Sequence, residues 1–444
     1  MSEHPIRLVV SDDLERDRLT AFFRWLLAIP HLIWIALWSI AALLAAIVNW
    51  AATLILARSP GWLHRFLAAY VKYATQLYAY LYLAANPYPT FDGQDGYPVD
   101  LSIAPPARQS RWTVALRGLL LLPAALIVTA LTGAPGGTTS FRRQGSFSLN
   151  FGLLYVAAVL AWFAIMARGR MPRGLRDAAA YALSYGAQFW GYALLLTDRY
   201  PNSDPLDAVP DLPARADPIH VRVDDDLRRS RLTVFFRLPL AFPHLVWLVL
   251  WGIAALLAAI VSWVATLFTG RSPAWAHRFL CAYLRYQLHV YAFLHLIANP
   301  FPGFVGRAGS YPLELAVAER QRQNRWKTGF RLVLLIPALL LASAYGTLAA
   351  TVALLGWFSS LARARMPRGM RNAGALALRY QAQTFGYALL LTDAYPYSGP
   401  VRAGVAEAGA GAGEGGGDEG PLASASPAPE RPDTPGALPD VGLT

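Results

Sequence analysis

One pattern occurs four times along this chain: a short alternating stretch, a basic stretch, a long apolar stretch, an Arg-x-Pro stop, a tyrosine-rich stretch and a closing aromatic-proline pair. The closing pairs are Tyr88-Pro89, Tyr200-Pro201, Phe301-Pro302 and Tyr395-Pro396, and Pro30, Pro123, Pro243 and Pro337 anchor the four copies. Copies one and three align at a constant spacing of 213, as in Arg24 and Arg237 or His31 and His244. Copies two and four align at 214 and then at 195, because copy two carries extra residues. Tandem units of this kind bury their polar faces against one another. The repeat divides the chain into units 1–96, 97–210, 211–308 and 309–400, followed by a low-complexity tail, 401–444, whose composition cannot build a core and reads as disordered.

The repeated unit is greasy. Of 444 residues 55% are hydrophobic and 15% charged, against about 25% charged in a soluble chain. The formal charge is +12, but the arginines flank apolar runs and form no soluble basic domain. Anionic phospholipid headgroups are therefore the expected partner, at about 1 kcal/mol per surface Lys or Arg, and nucleic acid is not. Cys281 is the single cysteine, which excludes an internal disulfide and a cysteine metal cluster. Five acids among residues 1–18 are unlike a cleaved signal peptide.

Each unit opens on alternating apolar positions: Ile6-Leu8-Val10, Val99-Leu101-Ile103, Ile219-Val221-Val223 and Leu313-Leu315-Val317. Period two predicts a half-buried strand. Arg7, Asp100, His220 and Glu314 lie between the first two apolar positions, and are expected to pair across a small cytoplasmic sheet. Next come two arginines, twelve and six residues before the anchoring proline: Arg18, Arg111, Arg231 and Arg325, then Arg24, Arg117, Arg237 and Arg331. The first set is expected at headgroup level, with the second snorkelling back to the phosphates.

The apolar stretch spans 33 residues between Arg24 and Arg58 and between Arg237 and Arg271, and 31 between Arg331 and Arg363. One such helix would be about 50 Å long, against a hydrocarbon core of about 30 Å. Ser39, Gly252 and Gly346 stand nine residues after the proline, where copy two breaks into Gly133-Ala-Pro-Gly-Gly137, as at a turn. Arginines at both ends place both ends on the cytoplasmic side. A transmembrane hairpin follows as the expectation, although Arg142 and Arg143 in the copy-two insertion point the other way. After the stops Arg58/Pro60, Arg170/Pro172, Arg271/Pro273 and Arg365/Pro367, a helix of about 20 residues is expected to lie in the interface, its tyrosine rings buried and hydroxyls wet. Gln76, Gln188, His289 and Gln383 recur in it, three residues after Tyr73, Tyr185, Tyr286 and Tyr380, as candidate polar contacts between repeats. The fold class is thus mainly α and integral to a membrane, with strand, hairpin and amphipathic helix in each unit.

Arg24-Trp25-Leu-Leu-Ala-Ile-Pro-His31, Arg170-Met-Pro-Arg-Gly-Leu175 and Leu195-Leu-Thr-Asp-Arg-Tyr-Pro201 together resemble a bacterial membrane family known as domain of unknown function 4389. The resemblance covers nearly all of the chain before the tail. It implies a multipass protein of the bacterial inner membrane and brings no activity with it. Copies two and four depart from it with Ala124 and Ala338 in place of histidine, and copies one and three with Asn86 and Asn299 in place of aspartate.

No nucleotide loop, nucleophile elbow or zinc motif is present, and the apolar stretches hold no acid. The first functional expectation is a non-enzymatic scaffold or lipid-organising protein, both termini cytoplasmic, without cofactor or metal. In it a ring of twelve arginines (Arg18, Arg24, Arg58, Arg111, Arg117, Arg170, Arg231, Arg237, Arg271, Arg325, Arg331 and Arg365) meets anionic headgroups. The alternative is a pore or transporter, with Gln76, Gln188, His289 and Gln383 lining a path. A lipid enzyme rests only on His31 and His244, which otherwise read as interfacial histidines beside a proline kink.

Overall fold

A computed structural model describes residues 4–133, 152–209, 212–215 and 217–403. The extra stretch of copy two, with Arg142 and Arg143, and the tail from residue 404 lie outside the described residues. Copy one contains β1 (Ile6–Val10), α1 (Arg18–Leu27), α2 (Ile29–Leu56) and α3 (Gly61–Leu81). Copy two contains β2 (Val99–Ile103), α4 (Arg111–Ala115), α5 (Arg117–Thr132), α6 (Leu153–Arg168), α7 (Arg173–Ala193) and α8 (Pro205–Ala208), and β3 (Ala214–Arg215) opens the next unit. Copy three contains β4 (Ile219–Val223), α9 (Arg231–Phe235), α10 (Arg237–Thr269) and α11 (Ala274–Leu294). Copy four contains β5 (Leu313–Val317), α12 (Arg325–Gly329), α13 (Arg331–Arg363) and α14 (Arg368–Ala388), and the first residues of the tail, expected to lack structure, form a last strand, β6 (Arg402–Ala403). The molecule is mostly helical, and α2, α10 and α13 are long and apolar enough to cross a membrane.

The apolar stretch does not fold back on itself as expected. It is one continuous helix of 33 residues in copies three and four and of 28 in copy one. The small residues that read as a turn are contact points for the neighbouring helix. Ser39 Oγ lies 2.9 Å from the Tyr70 hydroxyl, and a Cβ on Gly252 would meet the Tyr283 hydroxyl at 3.1 Å. In copy two α5 ends and α6 begins where Gly133 abuts Gly152, and both helices lie along α7 and α13. End to end they take the place of one long helix.

Each long helix buries one stripe. In α10 it is Arg237, Ala241, His244, Leu248, Ala255, Ala258, Ser262 and Thr266, spaced by three, four or seven residues. This is the period of a helix packed along one seam. The rest faces outward as large apolar side chains such as Leu238, Leu256 and Phe268.

The tyrosine-rich helix packs largely inside the protein. Fifteen of the 21 residues of α7 are buried. Each inner helix (α3, α7, α11, α14) packs against its own long helix on one side and a strand on another. In α3, Tyr70 and Tyr73 meet α2, whereas Lys72 and Gln76 meet Asp100 of β2.

The strands form separate antiparallel pairs, β1 with β2 and β4 with β5, and β3 pairs with β6 in parallel. The expected pairing of Arg7 with Asp100 does not occur: Arg7 stands opposite Ser102, and Asp100 opposite Val9. In the second sheet Arg222 faces Glu314, and His220 faces Ala316. Register follows burial, because a one-residue slip would turn Ile6, Leu8, Val99 and Leu101 out of the core. Strands are also exchanged between copies: β1 packs on α7 and β2 on α3. Gly191 and Gly386 leave room for Ile6 and Ile219, whose side chains occupy the space a Cβ would need.

Copies pair head to tail. Gln109 N donates to Ala57 O (2.8 Å) at the end of α2, and Arg16 N to Gly169 O (3.0 Å) after α6. The second pair repeats this with Gln323 N to Gly270 O (2.8 Å) and Arg229 N to Ala364 O (2.9 Å). Copies two and four then join the pairs, with Ile127, Leu131, Leu154, Leu341, Tyr345 and Leu348 in one core.

Candidate functional site: arginine corners

Head-to-tail pairing brings the entry of one copy against the exit of its partner, which makes four basic corners. The outer arginines cap the partner's long helix: Arg18 Nη2 donates to Ala167 O (3.3 Å), Arg111 Nη2 to Ile55 O (2.8 Å) and Arg231 Nη2 to Ala362 O (3.0 Å). A cation at a helix C-terminus also complements the helix dipole. The Arg-x-Pro arginines stand at the same corners, since the backbone bridges are Glu15 with Arg170, Arg58 with Arg108 and Arg228 with Arg365. At the fourth corner Arg320 Nη1 donates to Ser272 O (3.0 Å), next to Arg271. Eight of the twelve arginines, Arg18, Arg58, Arg111, Arg170, Arg231, Arg271, Arg325 and Arg365, are exposed. Arg228, Arg363 and Arg365 open onto a cavity of about 520 Å³ that Ser230 and Asn299 also line.

The other four are placed differently. Arg24, Arg117, Arg237 and Arg331 are at most 3% exposed and do not snorkel. Arg24 Nη1 donates to Tyr80 O (2.6 Å) and Ala85 O (2.8 Å), and Nη2 to Asn86 Oδ1 (3.3 Å). Arg331 repeats this on Tyr387 O (2.6 Å), Thr392 O (3.0 Å) and Asp393 Oδ1 (2.8 Å). Arg117 bonds Thr197 O (3.2 Å) and Asp198 Oδ1 (3.1 Å), and Arg237 bonds Phe293 O and Asn299 Oδ1. Each guanidinium also lies over an aromatic ring, 3.9–4.4 Å from the centroid: Tyr80, Tyr192, Phe293 or Tyr387. The inner arginine thus fastens the end of the inner helix to the start of the long one. Burial lowers the Arg24 pKa to about 10, which leaves it charged at neutral pH.

These partners explain the motif departures. Eight residues before the inner arginine stand Arg16, Gln109, Arg229 and Gln323. Where that residue is Gln, the closing position is Asp198 or Asp393, and the Gln bonds the inner arginine directly (2.8 and 2.9 Å). Where it is Arg, the closing position is Asn, and the extra cation is paired with Asp12 or Asp225 at 2.7 Å. Among these groups the Gln version sums to zero and the Arg version to +1. Sequence reading missed this set, although the alternation was visible.

The recurrent polar positions also separate. Gln188 Nε2 donates to Ile6 O (3.3 Å), and Gln383 Nε2 to Ile219 O (3.2 Å) and Asp217 Oδ2 (3.2 Å). Gln76 Nε2 bonds Gln94 O (2.9 Å) and Asp100 Oδ1 (3.1 Å), and the His289 ring stacks on Tyr311 with centroids 4.7 Å apart. The paired tyrosines turn the other way, into their own unit. The hydroxyls of Tyr73 and Tyr286 meet Nδ1 of His31 (2.7 Å) and His244 (2.8 Å), whose rings stack on Phe91 and Phe304. Tyr185 and Tyr380 are buried as well, and the Tyr380 ring lies 5.1 Å from Tyr345 of its own copy. Among the described residues no group of three His, Cys, Asp or Glu side chains could hold a metal ion.

A family profile described as a domain of unknown function (DUF4389) matches residues 18–92, 147–203, 231–305 and 325–398, more than half of the chain. No curated protein and no solved structure matches it.

Proposed function

We propose that this chain, which belongs to the DUF4389 family through all four of its repeats, is a non-enzymatic module of the bacterial inner membrane that binds and organises anionic phospholipids. The observation that supports this reading is the set of eight exposed arginines gathered at the four corners, beside long helices whose outward faces are apolar. A headgroup phosphate needs clustered donors at the edge of an apolar surface. Exposed Trp112 and Trp326, next to Arg111 and Arg325, suit the same boundary. The inner arginines have a separate task, since backbone carbonyls and an aromatic ring already surround each of them.

The test separates the two sets. Replacing Arg58, Arg170, Arg271 and Arg365 together by Gln should lower co-purified phosphatidylglycerol and cardiolipin several-fold, read by lipid mass spectrometry, with thermal unfolding little changed. Replacing Arg24 alone by Gln should instead cost about 3 kcal/mol of stability, as breaking a buried charge network does, with lipid per folded molecule unchanged. Undiminished anionic lipid on the quadruple variant would remove the headgroup role.

A further inference from the structure

We infer that the protein is seated in a single leaflet, with its long helices in the plane of the membrane, in place of crossing it. This rests on the lipid-binding reading and adds the orientation.

The first observation is a charged, extended segment beside every inner helix. On α7, Gln188 bonds Ile6 O near one end, and Met171 N bonds Leu14 O (2.9 Å) just before the other. Residues 6–14 therefore run the length of that helix. On α14 the same holds from Ile219 O, bonded by Gln383, to Leu227 O, bonded by Met366 N (2.9 Å). On α3 the segment runs from Asp100 to Gln109, and on α11 from Leu315, bonded by Arg285, to Gln323. The outward side chains of these segments include Arg7, Asp13, Arg222, Asp224, Asp226 and Arg320, all exposed. If the inner helices crossed the hydrocarbon, these charges would cross beside them, where lipid tails cannot solvate them.

The second observation is layering. The charged segments lie on one side of the inner helices, and the long helices on another. Laid flat, the molecule presents the sheets to water and the exposed Leu, Ile and Trp of α2, α10 and α13 to acyl chains. Length agrees: a helix of 33 residues is about 50 Å long, too long for a hydrocarbon core of about 30 Å but unconstrained within the plane. Charge agrees as well. Arginine corners stand at both ends of every long helix, and only an in-plane seat brings all four to one anionic surface. The occupant of the apolar face is therefore the acyl region of one anionic leaflet.

The test uses the full chain with Cys281→Ala and single cysteines at the two ends and the middle. The positions are Ser230→Cys before α10, Thr269→Cys at its end and Ala316→Cys on the open face of the second sheet. A membrane-impermeant maleimide is applied to right-side-out spheroplasts and to inverted vesicles. All three positions should react from the same side only. Reaction of Ser230→Cys and Thr269→Cys from opposite sides would overturn the in-plane seat and make the pair an inverted-topology spanning repeat. Depth provides a second readout in phosphatidylglycerol–phosphatidylethanolamine vesicles carrying brominated lipids. A fluorophore on Leu256→Cys, midway along α10, should be quenched at the same depth as one on Leu238→Cys or Phe268→Cys. A midpoint much deeper than both ends would overturn the proposal. Either overturning result leaves anionic lipid retention by the arginine corners standing, because that is measured separately.

Discussion

At the scale of single residues, the repeated polar positions do different work in different copies, and His289 shows the consequence. Copies one, two and four place Gln there and bond a strand or loop with it. His289 is 1% exposed, and burial, then the neighbouring Arg285 charge, lowers its pKa to about 4, although a backbone hydrogen bond opposes the shift. The unfolded imidazole titrates near 6.5. The unfolded chain therefore binds the proton first, and the stability contributed by the neutral ring is present above about pH 6.5 and is lost as pH falls toward 4. The loss should reach about 3 kcal/mol at its acid limit. His289→Gln should remove this acid sensitivity, and thermal unfolding in detergent from pH 7 to pH 4.5 reads the difference; identical slopes for both proteins would refute the assignment. The sequence showed that this position was polar in all copies, and that much was legible. What it hid was direction. Tyr73 and Gln76 are three residues apart, about 60° around the helix, and that angle separates the long helix from the strand. The fate of Arg24 was hidden for a related reason: its partners Tyr80, Ala85 and Asn86 lie some sixty residues on, beyond any local pattern.

At the scale of elements, period-two alternation marked the stretches where β1, β2, β4 and β5 form. The Arg-x-Pro stops marked where the inner helices begin, because Pro60, Pro172, Pro273 and Pro367 each precede a first helical residue. The turn within the apolar stretch was misread, because Ser39 and Gly252 look alike whether they bend a chain or admit a tyrosine hydroxyl. The true ends of the long helices are left-handed residues: Ala57 (φ 54°), Gly169 (φ 70°), Gly270 (φ 73°) and Ala364 (φ 53°). This is a common helix stop, and it suits glycine better than alanine, whose Cβ crowds the following carbonyl. Two copies thus carry strain that the other two avoid. Ala57→Gly and Ala364→Gly should each raise stability by about 0.5–1 kcal/mol, and Gly270→Ala should lower it by a similar amount. Melting temperatures of the three variants check this, and a destabilised Ala57→Gly protein would show that the left-handed stop is not the controlling feature.

At the scale of the whole molecule, the four copies are alike in sequence but not in position. Copies two and four meet at the centre, and copies one and three flank them. The sequence held a trace of this. The inner helices of copies two and four are rich in Ala and Gly (Ala178-Ala-Ala180, Gly374), whereas those of copies one and three open with Trp62 or Trp275. Small residues allow close packing on several sides at once. The exchange of strands left no such trace, since β1 belongs by chain to copy one and by packing to copy two. Burial of the long helices follows the same division. Leu348 of α13 is fully buried among α5 and α6, whereas Leu37 of α2 is 57% exposed. Both are leucines within a long apolar helix, so their different burial sets their energetic difference. Leu348→Ala should cost about 3 kcal/mol, as expected for a cavity between packed helices, and Leu37→Ala should cost less than about 0.5 kcal/mol, because its side chain leaves one apolar medium for another. Unfolding of both variants in the same detergent gives the comparison. Equal losses would mean that copy four packs no more tightly than copy one, and the central joint between the two pairs would have to be abandoned.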